Sequence, residues 1–237
     1  MKKNELLNFV GRYHLAGATT SVKWTAKDAK LHTEFITDDQ NVIGSIEANL
    51  DLGEHELGVY ATPSLVKMLS AIGDELDVNI NAVGKTAVSM KIKDKDVNMT
   101  FMLADLSVIR QVPDLKNTPD WNASIDITSN FTTKFIKAKN ALPESENFGI
   151  KCSNEIVDVI INYSTINTNR IKFEIESPNS KDMPIICFSS TLFKEILQSN
   201  KDATSGKLEV SSAGLARVSF TGKDYSSTYY LVQLQTA

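Results

Sequence analysis

Lys134, Lys137 and Lys139 fall within one stretch, Ser129 to Leu142, that holds no carboxylate. Ammonium groups at this spacing offer point charges to an anion, or simply keep the outer face of a helix hydrated; they offer no nucleophile, acid or base arrangement. Phe131, Phe135, Ala138 and Leu142 recur at helical spacing, and Lys134 and Lys137 lie about 100 degrees or more from that stripe. The stretch therefore predicts an amphipathic helix with one packed and one basic face, Ser129 as its N-cap and Pro143 beyond its end.

Other chemistry is sparse. His14, His32 and His55 are scattered, with no cysteine or carboxylate at metal-ligand spacing. Asp38-Asp39 and Asp94-Lys95-Asp96 resemble Mg²⁺ carboxylate pairs, but both fall where hairpin turns are expected, and turns favour Asp. No phosphate-binding glycine loop and no nucleophile elbow occurs. The sequence predicts no catalytic residues, no metal, no cofactor and no enzyme. Cys152 and Cys187 stand far apart, which predicts reduced thiols and a cytoplasmic location, the host cytoplasm if the source is viral. No apolar run approaches the roughly 20 residues that span a bilayer, and the N-terminal residues do not read as a signal peptide, so no membrane partner is expected.

Four segments carry helical periodicity: residues 2–15, the stretch opened by Thr62-Pro63-Ser64 and closed by Gly73, residues 129–142, and residues 190–201. Short alternating runs between them predict antiparallel strands, among them SVKW, KLHTEF, VIGSIEANL and ELGVY, then 76–82, 86–93 and 97–103. Residues 104–123, with Pro113 and Pro119 and no sustained period, read as a connector. The expected organisation is an α+β chain with domain 1 at 1–104, a connector at 105–122 and domain 2 at 123–237.

The halves repeat. Phe9-Val10 matches Phe135-Ile136 at an offset of 126, Ser64 to Leu69 matches Thr191 to Ile196 at 127, and Val88 to Asp94 matches Val218 to Asp224 at 130. Charge then sorts by element. The chain has a net charge of -4, which taken whole argues against a nucleic-acid binder, but the 52 residues of the four helical segments hold 9 basic and 2 acidic side chains. The remaining 185 residues hold 16 basic and 27 acidic. Helices are basic and sheets acidic.

On these residues the chain resembles the DNA polymerase sliding clamps, in particular the two-domain clamps of T-even-type bacteriophages and of the eukaryotic proliferating-cell type. The resemblance spans essentially the whole chain and is most specific in ATPSLVKMLSAI, in MKIKDKDVNMTFMLAD and in GLARVSFTGKDYSSTYYLVQLQ, whose Tyr229-Tyr230-Leu231 is similar to the last strand of eukaryotic clamps. It departs from them at Gln233, where a proline is usual.

The resemblance implies a clamp fold, a homotrimeric ring of six pseudo-equivalent domains with helices lining the hole, and the role of a processivity factor that encircles DNA. Its implied partners are double-stranded DNA without sequence preference, a DNA polymerase and an ATP-dependent clamp loader. The implied DNA-facing residues are Lys2, Lys3, Arg12, Lys67, Lys134, Lys137, Lys139, Lys194 and Lys201. Subunits would join through Val97, Met99, Phe101 and Leu103 of one chain and Ile171, Phe173 and Ile175 of the next. A pocket for partner peptides would draw on Val42, Ile109, Val112, Leu215, Tyr230 and Val232. Two alternatives stay open at this stage: a monomeric viral processivity factor of the same fold and, more remotely, a hydrolase with dispersed catalytic residues.

Overall fold

The computed structural model describes residues 1–84, 86–115 and 117–235. The chain divides into two compact units: unit 1 comprises residues 1–38, 44–113 and 224–227, and unit 2 comprises residues 39–43, 114–223 and those from 228 onward. The main crossing, between Pro113 and Asp114, falls inside the stretch expected to be a connector. Among the described residues 109–122 no helix or strand occurs, apart from the preceding single turn at Leu106–Val108.

The first half runs α1 (Lys3–His14), β1 (Val22–Lys27), β2 (Lys30–Ile36), β3 (Val42–Ala48), β4 (His55–Val59), α2 (Thr62–Ser70), β5 (Asp77–Val83), β6 (Thr86–Lys93) and β7 (Asn98–Met102). The second half runs β8 (Ala123–Asp126), α3 (Ser129–Ala141), β9 (Asn147–Ser153), β10 (Ile156–Ile161), β11 (Ile171–Glu176), β12 (Met183–Ser189), α4 (Ser190–Ser199), β13 (Ser205–Ser211), β14 (Leu215–Thr221) and β15 (Tyr225–Val232). Strand order is β4-β1-β2-β3 and β5-β6-β7 in the first half, β12-β9-β10-β11 and β15-β14-β13-β8 in the second. Apart from β8, each α-helix of one half has its counterpart in the other, and each strand has one in the same sheet position. The sequence repeat is a repeat of fold.

Each unit builds its core from aromatic rings presented by its helices. In unit 1 Phe9 and Tyr13 of α1 meet Trp24 of β1 edge to face, at centroid separations of 5.5 and 6.3 Å. In unit 2 Phe135 of α3 stands 5.0 Å from Phe148 and 4.7 Å from Phe193. Phe9, Trp24, Phe135, Phe148 and Phe193 are fully buried, and each such side chain contributes about 1.5–3 kcal/mol relative to exposure. The helices α1 and α2 pack together in one unit, as do α3 and α4 in the other.

Several boundaries differ from expectation. The hydroxyl of Thr128, not of Ser129, accepts the Phe131 N–H at 3.1 Å and caps α3. Ala61 is the N-cap of α2; Thr62 lies inside the first turn, its hydroxyl 3.3 Å from the buried Tyr13 hydroxyl. That helix ends at Ser70, three residues before Gly73. The strand β8 was not expected, because four residues of Ala-Ser-Ile-Asp carry too short an alternation; it is fixed by pairing with β13, Ile125 opposite Leu208.

One glycine is required by close approach. At Gly58 of β4 an added Cβ would strike the Ala104 carbonyl oxygen, so only glycine lets the start of the connector run against this strand, where Ala104 N–H donates to Gly58 O at 2.9 Å.

Candidate nucleic-acid interface

The apolar stripe of each helix is turned inward, which leaves its other face to solvent. Lys67 on α2, Lys134 and Lys137 on α3, Lys2 at the start of α1 and Lys201 just after α4 are exposed. Lys194 on α4 is half-buried. Each unit thus turns ammonium groups of its own helices to solvent, Lys2 and Lys67 in unit 1 and Lys134, Lys137 and Lys201 in unit 2.

Three of the nine expected contacts are differently employed. Arg12 is only 3% exposed, and its guanidinium carbon lies 3.3 Å from the centroid of the Tyr225 ring within unit 1. Lys139 is 7% exposed; its Nζ donates to the Pro143 carbonyl at 2.7 Å, satisfying backbone just past the end of α3. Burial lowers its pKa, and Lys194 nearby lowers it further. Lys3 donates to the Ile72 carbonyl at 2.7 Å and lies 3.3 Å from Asp74, so it ties α1 to the end of α2. Arg12 and Lys139 are packing and capping groups; the spacing that puts Arg12 on a helix could not reveal a partner 213 residues away.

The residues expected at a subunit junction lie on two strands that end their sheets, β7 and β11, each hydrogen-bonded on one side only. Along β7 and its continuation Phe101 is buried, Met99 and Leu103 are half-buried, and Val97 is exposed. Along β11 Ile171, Phe173 and Ile175 are half-buried and alternate with exposed Lys172, Glu174 and Glu176. Phe173 meets Phe131 of α3 edge to face at 6.0 Å. Beside β11 opens a cleft of about 470 Å³ whose lining includes Phe131, Lys134, Phe173, Ile175, Glu176 and Lys207.

The expected peptide pocket divides. In unit 2 Leu215 and Tyr230 are half-buried and Val232 is exposed, all on the face opposite the buried Ala216, Tyr229 and Leu231. Tyr229 points to the helix side, its hydroxyl accepting from Asn200 at 2.9 Å. Val42 is fully buried and lines the core rather than an open surface; Gly44 and Ile46, which share its parity along β3, are buried with it. Alternation shows that a strand has two faces, and here the outward one is marked by Glu47, half-buried in the opposite parity. Ile109 in unit 1 is 7% exposed and Val112 is half-buried.

The remaining polar candidates are accounted for locally. Asp94 accepts backbone N–H groups from Gly73, Asp96 and Val97, and these bonds lower its pKa. Asp39 accepts from Asn41 in a turn. His14 Nδ1 is 2.7 Å from the Thr19 carbonyl. Among the described residues no group of three metal-ligating side chains converges, and no helix is long and apolar enough to cross a membrane. Both cysteines are free and buried; burial is the leading cause that raises each thiol, Cys187 to about 11.

Comparison with solved structures covers nearly the whole chain. The chain matches proliferating cell nuclear antigen of Entamoeba histolytica with a TM-score of 0.73 at 16% identity, over 99% of this chain and 96% of that one. The fold is that of the sliding clamps. The clamp fold is matched again by the PCNA2–PCNA3 complex of Sulfolobus tokodaii, with a TM-score of 0.74 at 10% identity over 98% and 97% of the two chains. It is matched also by A. fulgidus PCNA, solved with the C-terminal region of FEN-1, with a TM-score of 0.78 at 16% identity over 100% and 98%. No protein-family profile and no curated protein matches the sequence. At these identities the likeness establishes the clamp fold, and function has to be argued from the side chains.

Proposed function

We propose that this chain is a DNA polymerase processivity factor: a homotrimeric ring, of the phage-like two-domain type, that encloses duplex DNA and tethers polymerase and other replication proteins to it. The observation that carries the proposal is the coincidence of a clamp fold with exposed lysines on its helices. Duplex DNA presents about one negative charge per 1.7 Å of axis, and Lys67, Lys134 and Lys137 offer point charges to it without the Asn, Gln or Arg clusters that read base edges. Contact of this kind is independent of sequence and weak enough to slide. Residence on DNA then comes from closure of the ring rather than from affinity.

Closure needs a junction between chains, and β7 of one chain paired with β11 of the next supplies it. Two end strands with half-buried apolar rows are exposed liabilities in a lone chain and complementary edges in an assembly. A contact between two different surfaces closes into a ring when its rotation permits, and three two-domain chains give six domains. Partner proteins would dock on the face carrying Leu215, Tyr230 and Val232, and a separate ATP-dependent loader would open the ring. Native mass at micromolar concentration tests the assembly: three times the 26.1 kDa chain mass is expected, and a species of one chain mass would favour a monomeric processivity factor instead.

A further inference from the structure

On the outward face of unit 2 one charged residue joins three elements. Glu209 of β13 and Arg217 of β14 are cross-strand partners, and Arg217 Nε donates to Glu209 Oε2 at 2.7 Å while Nη2 lies 2.6 Å from the same oxygen. The Glu209 side chain is only 12% exposed, so this carboxylate holds the guanidinium in a fixed plane. The pKa of Arg217 is raised: against the opposing effect of burial, Glu209 and Tyr230 of β15 both favour the charged guanidinium. Over the guanidinium lies the indole of Trp121, 4.9 Å from Arg217 Cζ to the ring centroid.

Trp121 lies two residues before β8 begins. Asn122, next to it, donates its N–H to the Val210 carbonyl at 2.8 Å and accepts the Ser212 N–H at 2.9 Å on its side chain. Backbone hydrogen bonds therefore anchor the chain from Asn122 onward, and the Trp121 side chain is the anchor for what comes before.

We propose that Arg217 is a positioning residue that clasps Trp121, and through it the C-terminal end of the connector, beside Tyr230. The clasp gives the docking face a fixed aromatic edge: Trp121 rests on a guanidinium that Glu209 holds in place, on the same face as Tyr230. In this respect the inference rests on the reading of Leu215, Tyr230 and Val232 as a partner-docking face, and it assigns that face a further pair of residues, Trp121 and Arg217.

The test uses the full chain without DNA or partner. Trp121 and the fully buried Trp24 are its two tryptophans, so acrylamide quenching of the accessible emission reports on Trp121. In Arg217→Met, which keeps the aliphatic stem, quenching is expected to rise, and amide exchange of Asn122, whose N–H donates to Val210 beside the clasp, to quicken roughly two- to fivefold, the worth of a part-exposed cation–π contact. Glu209→Gln, which leaves an oxygen acceptor in place, is expected to move both readouts in the same direction by less. Unchanged quenching and exchange in both variants would overturn the clasp, even if native mass and melting temperature were altered. Failure of the docking reading looks different: binding of the cognate polymerase would survive Tyr230→Ala while the quenching response of Arg217→Met persisted.

Discussion

Phe173 of β11 meets Phe131 of α3 edge to face, their ring centroids 6.0 Å apart. The strand proposed to join subunits is thus fastened directly to the helix that presents Lys134 and Lys137. Such a contact holds strand and helix in one arrangement, because aromatic pairs in close packing have few alternatives.

Ile171 lies on the free edge of the same strand and is half-buried. Ile171→Lys places a charge where the neighbouring chain would pair, at a cost of about 3 kcal/mol, which is more than a hundredfold in association. Native mass should fall to a single chain while the far-ultraviolet circular dichroism of the chain is kept. A full-sized assembly in this variant would place the junction elsewhere.

Lys134→Ala with Lys137→Ala removes two exposed cations per chain. If all six in a trimer touch phosphates, the slope of log binding constant against log salt should become shallower by about 5. Lys139→Met should leave that slope unaltered, since its amine is buried against Pro143. Arg12→Ala should also spare the slope but lower stability by roughly 2 kcal/mol, because it empties a packed site over Tyr225. Salt titrations and thermal melts of these variants separate DNA contacts from packing groups.

Asp94 gives a pH dependence of known sign. Its N–H donors at Val97, Gly73 and Asp96 stabilise the carboxylate in the folded chain, so its folded pKa lies below the unfolded one. The stabilisation is present above the ordinary carboxylate range, about pH 4, and is lost as pH falls through the lowered folded value. Asp94→Asn should therefore melt earlier than the parent at neutral pH and show a smaller further loss on acidification. Melting curves across that range check it; parallel acid limbs in the two proteins would contradict it.

Cys152 and Cys187 are buried and their thiols are raised in pKa. Neither should react with a thiol reagent at pH 8 in the folded chain, and both should react in denaturant. Fast labelling of either in the native protein would contradict the packing of β9 against β12.

Much of the fold was legible because its signals are local or repeated. Phe9 and Phe135, one period apart, are the central aromatics of their units, and the strands after α1 follow the expected alternating runs, although β1 continues three residues past SVKW. What stayed hidden depends on distant partners. Arg12 looks like any helical cation until Tyr225 folds over it, and the Trp121 and Arg217 contact joins residues 96 positions apart with no motif at either. Val42, expected in the peptide pocket, is buried, and the parity of Glu47 marks the other face of β3 as the outward one. Sequence period reveals that a face exists; only packing tells which neighbour covers it.

The central claim is that the lysine-bearing helices surround DNA that passes through a closed opening. Its most direct test threads the protein onto linear duplex through free ends, blocks both ends with bulky protein caps, washes at salt high enough to strip phosphate contacts, and then cuts the duplex between the caps. Retention through the wash followed by release on cutting is the predicted result. Equal capture by duplex capped before mixing, or retention that cutting does not alter, would contradict it.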